Sequence, residues 1–169
     1  CILFDSYGKG KYKDPQDKRH LHRNAIMQIA NQMAQNLGSD LLLIRNQSDD
    51  VYLRELIKRI KQAVSILKER NESSYLTLIV DAADNSISAA HSSGDKSFVQ
   101  DLLNIGTIEG FNLIVTTRSH RKDLLDLPTK YLDLELTPFS INETSLYLNE
   151  KVQKVSKDQA LEFHQLTYG

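Results

Sequence analysis

The stretch TLIVDAADNS, residues 77–86, sets an apolar, β-branched run against two carboxylates: Asp81 where the run stops and Asp84 three residues later. With the residues before it the run reads YLTLIV over 75–80, continuous rather than alternating. That is the pattern of a strand in a parallel sheet with both faces covered by helices. Ligands in such sheets bind beyond the carboxyl ends of the strands, so the fold and the candidate chemistry meet at Asp81.

Working outward, FNLIVTT (111–117) reads as a second strand of this buried type, and CILFD (1–5) as a short strand followed by a Gly- and Lys-rich loop. In LHRNAIMQIANQMAQNLG the residues Ile26, Ile29, Ala30, Met33 and Leu37 keep helical spacing, and Gly38 supplies the stop. A second helix starts near Ser48 or Asp49. It places Leu53, Leu56, Ile57, Ile60, Val64 and Leu67 on one side, with Lys58, Arg59, Lys61 and Lys68 as a solvated face. KSFVQDLLNI reads as a helix, and RSHRKDLLDLP as a loop. YLDLELTPF, where Leu132, Leu134 and Leu136 alternate with acids, reads as a strand nearer the sheet edge. Two helices close the chain with capping-box starts, Ser140 with Glu143 and Ser156 with Gln159. The order βααβαββαα implies an α/β fold with a parallel sheet and right-handed crossovers.

Composition bounds the function. At 169 residues with 22 acidic and 21 basic side chains, the chain is one ordinary domain with no global field for nucleic acid or an anionic membrane. Aromatics are not interleaved with basic residues, which argues against a helicase-like motor. No apolar run approaches the roughly 20 residues that span a bilayer. The only cysteine is Cys1, so an internal disulfide and a Cys-based zinc cluster are excluded, and a cytoplasmic location is expected.

Three strand ends carry polar groups: Asp5 and Ser6, Asp81 with Asp84, and Thr116-Thr117-Arg118. An unpaired carboxylate leaving a dry strand is costly, and a hydrated magnesium ion removes that cost. Asp81 is then the magnesium-organising acid, acting through water, and Asp84 lies near a water at the terminal phosphate. The alternative is a plain strand-to-helix cap with Asp84 or Asn85 as N-cap. In IVTTR, Thr117 is placed to hydrogen-bond a γ-phosphate oxygen and Arg118 to neutralise its charge. The alternative for Arg118 is an ion pair with a nearby acid such as Asp123. DSYGKGKY is not a P-loop, since Asp5 and Tyr12 stand where Gly and Ser or Thr are required. Lys9, Lys11 and Lys13 there remain a minor phosphate or partner contact, His20 and His22 lack a third metal ligand, and His120 is assigned to the phosphate edge.

LTLIVDAADNS resembles the Walker B segment of NACHT-like STAND ATPases, the signal-transduction ATPases with numerous domains, and FNLIVTTRSHR resembles their sensor 1 strand with its terminal Arg. YLDLELTPFSINETSLYL is similar to the stretch that follows in that family, and FHQLTYG to the approach to its Gly-x-Pro element. The opening ILFDSYGKGKYKDPQDKRHLHRNAIMQIANQMA is most like a bacterial antiviral group. The resemblance implies a partial three-layer P-loop NTPase core of the ASCE type over 1–139 and the beginning of a helical lid over 140–169. It also implies ATP and magnesium as ligands, homo-oligomerisation, and a trigger protein, such as one of phage origin, that leads to effector activation. Asp81 matches the magnesium acid, Asp84 and Arg118 the catalytic acid and sensor, and Asn85 stands where many members carry Glu, which slows hydrolysis. The family's P-loop and Gly-x-Pro element would lie outside residues 1–169. With that central P-loop strand missing, two strands are expected to have unpaired inner edges, and the segment alone to be unstable. A nucleotide-free interaction scaffold is the competing expectation.

Overall fold

A computed structural model describes residues 1–6, 19–152 and 154–167 of the chain. They form β1 (Ile2–Asp5), α1 (His22–Leu37), α2 (Asp49–Arg70), β2 (Leu76–Asp81), α3 (Ala83–Ser93), α4 (Phe98–Leu103), β3 (Phe111–Val115), a 3-10 helix (Ser119–Leu125), α5 (Ile141–Lys151) and α6 (Lys157–Thr167). The chain divides into two compact units, Cys1–Tyr131 and Leu132–Gly169. No helix among the described residues is long and apolar enough to cross a membrane.

The first unit is a mixed α/β body on a three-stranded parallel sheet in the order β1-β2-β3. Asp5 aligns with Asp81, and Val80 with Val115, so the strands end together at one edge. Because the order advances in one direction, two right-handed crossovers place their helices on the same face. The burial pattern agrees: Ile2, Phe4, Leu76, Leu78 and Val80 join the buried faces of α1 to α4 in one core cluster. Phe4 and Phe98 anchor it edge to face at 5.0 Å. On the other face Leu3, Asn112 and Ile114 are exposed and Thr77 and Ile79 half-buried. The expectation of strands buried on both faces, and of three layers, is therefore corrected to two layers among the described residues. A continuous apolar run does not reveal which of its faces is covered.

Other boundaries follow local chemistry. Gly38 ends α1 in the left-handed region, its N–H bonded to Ala34 O at 3.0 Å. Gly110, at φ +78°, introduces β3, and a Cβ there would stand 2.7 Å from Val64 Cγ1 of α2. Arg59, expected on the solvated face of α2, is buried; it pairs with Glu55 and donates to Leu41 O at 3.3 Å. Its stem thus packs into the core while its two terminal nitrogens find partners locally and its buried Nε has none.

The strand expected over 131–139 does not form, and that stretch has no regular secondary structure. Alternation marks a segment that fits a sheet edge, but a strand exists only with a ladder partner, and β3 pairs with β2 alone. The helix α3 has no place in the order βααβαββαα and enters the sequence reading only through the strand-to-helix cap alternative, and the loop after β3 holds a 3-10 helix.

In the second unit both capping boxes are present: Ser140 N–H donates to Glu143 Oε2 at 2.8 Å, and Ser156 N–H to Gln159 Oε1 at 2.9 Å. Thr144 and His164 link α5 to α6 at 2.9 Å, and Thr144, Leu148 and Ala160 are buried.

Candidate functional site

An open cleft of about 370 Å³ lies beyond the carboxyl ends of β2 and β3, lined by Asp81, Ala82, Asp84, Asn85, Thr116, Thr117 and Arg118. The parallel register accounts for this convergence, since both strands deliver their last residues to one edge. Every residue singled out from the two strand ends reaches this cleft.

Thr116 is the structural hinge of the site. Its hydroxyl accepts the Ala82 N–H at 3.0 Å and donates to Asp81 Oδ1 at 2.5 Å, while its carbonyl accepts the Ala83 N–H at 2.9 Å. These bonds hold Ala82 in the left-handed region, at φ 52° and ψ 47°, where a non-glycine residue is strained. The turn points the exposed Asp81 carboxylate at the cleft and folds Asp84 inward. Thr117, the residue expected to meet phosphate, lines the cleft too, but its own hydroxyl donates only to Arg118 O at 3.4 Å.

Asp84 is 1 % exposed and is the buried charge of the site. Arg118 donates to its Oδ2 from Nε at 2.8 Å and from Nη2 at 2.5 Å, and Arg121 Nη1 stands 3.5 Å from the same oxygen. Arg118 Nη2 also donates to Asn85 Oδ1 at 2.6 Å. The acid that holds Arg118 is thus Asp84, brought close across the sheet, rather than the sequence neighbour Asp123. Asp84 and Asn85 sit in the first turn of α3, whose cap residue Ala82 offers no side-chain bond. The capping alternative is therefore not what these two residues do.

The third strand end is tied to the others: Ser6 N–H donates to Asp81 O at 3.0 Å, and Arg19 covers the end of β1 through Asp5 O at 3.1 Å. The Lys9, Lys11 and Lys13 run lies outside the described residues. His22 is buried at the start of α1, its Nε2 2.6 Å from Asp101 Oδ2, and His120 is exposed outside the cleft. No group of three or more His, Cys, Asp or Glu side chains converges on a metal position among the described residues. Sequence reasoning placed Thr116 at the strand end but gave it no role, and gave none to Arg121. The signals were the first Thr of the TTR triplet, in line with the residue after Val80, and the i, i+3 spacing of RSHR.

No protein-family model matches the chain, and no curated protein sequence matches it.

Proposed function

We propose that the cleft binds a magnesium nucleotide, and that the chain is the Walker B and sensor 1 part of a STAND-type regulatory ATPase. The observation that carries this reading is the joint delivery of Asp81, Asp84 and Arg118 to one open edge by adjacent parallel strands. The donor set suits the ion. Asp81 is an exposed carboxylate with one oxygen tied to Thr116, and magnesium takes one or two carboxylates and completes its shell with water and phosphate oxygens. When bound, the ion would neutralise charge developing on the phosphates. Asp81 would hold it, and Arg118, 48 % exposed, would neutralise a terminal phosphate.

The same geometry favours binding over rapid turnover. Asp84 is engaged by Arg118, and Asn85 has no basic carboxylate to offer, so neither is free to take a proton from water. A regulatory switch needs no more than slow hydrolysis. Oligomerisation, a trigger protein and an effector belong to the proposal through the family resemblance alone. One observation favours the scaffold reading: the Asp84–Arg118 pair satisfies both charges without a ligand.

Calorimetric titration of the full-length protein, P-loop region included, with Mg-ATP tests the reading. Wild type is expected to bind, and Asp81→Ala and Arg118→Ala each to weaken binding at least about tenfold, which is 1.4 kcal/mol. Absence of binding by wild type, or unchanged affinity in both variants, would refute it.

A further inference from the structure

Two arginines face one buried carboxylate oxygen, and only one of them is in full contact. Arg118 is the N-cap of the 3-10 helix and Arg121 is its third residue; Arg121 N–H donates to Arg118 O at 2.8 Å. In a 3-10 helix, positions i and i+3 eclipse, so the two side chains leave the same side and reach the same partner. Arg118 makes both strong contacts to Asp84 Oδ2, yet nearly half of its side chain is open to the cleft. Arg121 stands 3.5 Å from that oxygen. It needs to close only about 0.6 Å to make a full hydrogen bond.

A ligand anion in the cleft draws on Arg118, and Asp84 cannot be left bare, because an unpaired buried charge is strongly penalised. We propose that Arg121 is the reserve counter-ion of Asp84: it takes over the carboxylate when Arg118 turns to an anionic ligand. Resting on the nucleotide reading above, that ligand is the terminal phosphate of Mg-ATP. Arg121 is then a positioning residue that sets how easily the sensor arginine is released, without touching the ligand. The exchange couples binding to a movement of the 3-10 helix relative to α3, which is the form a nucleotide-dependent signal needs.

Equilibrium unfolding of the full chain separates this role from a passive one. Each of Arg118→Ala and Arg121→Ala leaves Asp84 one guanidinium, and each is expected to raise the unfolding constant by less than about tenfold. The double variant, with none, is expected to raise it well beyond the product of the two, by more than about tenfold over that product. With Asp84→Asn in place the excess is expected to vanish. If the double variant does not fold, the triple variant with Asp84→Asn is expected to fold, because no bare carboxylate remains. Additive single effects, or a triple variant that also fails, overturn the exchange.

The second arm uses Mg-ATP with the full-length protein, P-loop region included. Arg121→Ala is expected to weaken binding about tenfold because Arg118 is then locked on Asp84, and the loss is expected to disappear in the Asp84→Asn background. An equal loss in both backgrounds means that Arg121 meets the ligand directly, and overturns the proposal. Wild type that fails to bind Mg-ATP sinks the nucleotide reading, whereas additivity in the unfolding cycle sinks the exchange, so the two failures are told apart.

Discussion

Replacing Thr116 by Val preserves the shape of the side chain and removes a single oxygen, the one that ties the end of β3 to the turn after β2. Two bonds go with it. The Asp81 carboxylate is exposed, so water replaces the lost hydroxyl and the cost there is about 0.5 kcal/mol, the low end for a hydrogen bond. The Ala82 N–H is half-buried inside a tight turn, and losing its acceptor costs about 1 kcal/mol. Ala82 also carries about 1–2 kcal/mol of left-handed strain that these bonds hold in place. Part of that strain is released when the turn loosens, which lowers the net cost. The expected loss is therefore about 1–1.5 kcal/mol, a rise of roughly five- to twelvefold in the unfolding constant. Urea denaturation followed by circular dichroism measures it as a lower midpoint at unchanged slope. A companion change sharpens the test: Ala82→Gly removes the strain, so it is expected to stabilise wild type and, with no strain left to release, to raise the cost of Thr116→Val toward its full value of about 1.5 kcal/mol. An unchanged midpoint in Thr116→Val, or an equal drop from Thr117→Val, refutes the assignment of Thr116 as the tie.

Gly110→Ala places a Cβ 2.7 Å from Val64 Cγ1 at a backbone φ of +78°. Left-handed strain and overpacking together are expected to cost about 2–4 kcal/mol, read as a lower thermal midpoint that Val64→Ala partly restores. Wild-type stability in Gly110→Ala would contradict the packing of α2 on this turn. In the second unit, the Ser140 side chain and then its backbone N–H hold the Glu143 carboxyl below its ordinary value near 4.5. A lowered folded value means that the contribution is fully present above the ordinary value and is lost as pH falls through the folded one. Glu143→Ala is therefore expected to remove part of the acid sensitivity of α5 helicity, measured by circular dichroism from neutral pH downward. Parallel acid profiles for the two proteins would show that the capping box contributes nothing.

The strand and helix positions that were legible in the sequence are those with a strong local signal. The spacing from Ile26 to Leu37 located α1, the two capping boxes located α5 and α6, and the apolar runs located β2 and β3. What was not legible depends on partners. The leucines at 132, 134 and 136 alternate as a strand should, but alternation cannot supply a ladder, and these side chains stand 95, 78 and 84 % exposed. The covered face of the sheet was likewise hidden, because a run such as LIV is apolar in both directions and only strand order decides where the helices go. Helix α3 was missed because its residues, ADNSISAAHSS, are small and polar and carry a weak apolar stripe, so tertiary burial of Ala83, Ile87 and Ala90 holds it.

The site was legible as a set of residues but not as a set of pairs. Asp81, Asp84, Thr117 and Arg118 converge on one cleft because parallel strands end in register, a consequence of fold that needs no long-range information beyond the strand pattern. Which acid holds Arg118 is a different question, settled by three-dimensional distance: Asp123 is five residues away along the chain, whereas Asp84, thirty-four residues away, is buried and within 2.5 Å. A surface carboxylate competes poorly for a guanidinium with a buried one, because the buried charge has no water to turn to and an exposed ion pair gains little. The pairing therefore follows from the inward fold of the Ala82 turn, which Thr116 maintains. A perturbation that loosens that turn should expose Asp84 to water, weaken its hold on Arg118 and make the arginine more available to an anion, so the stability of the turn and the affinity of the cleft are opposed. Thr116→Val is then expected to lose stability while making Arg118 more reactive toward a guanidinium-directed dicarbonyl reagent, with modification at this residue located by mass spectrometry. Unchanged Arg118 reactivity alongside the lost stability would show that the two are not coupled through the turn.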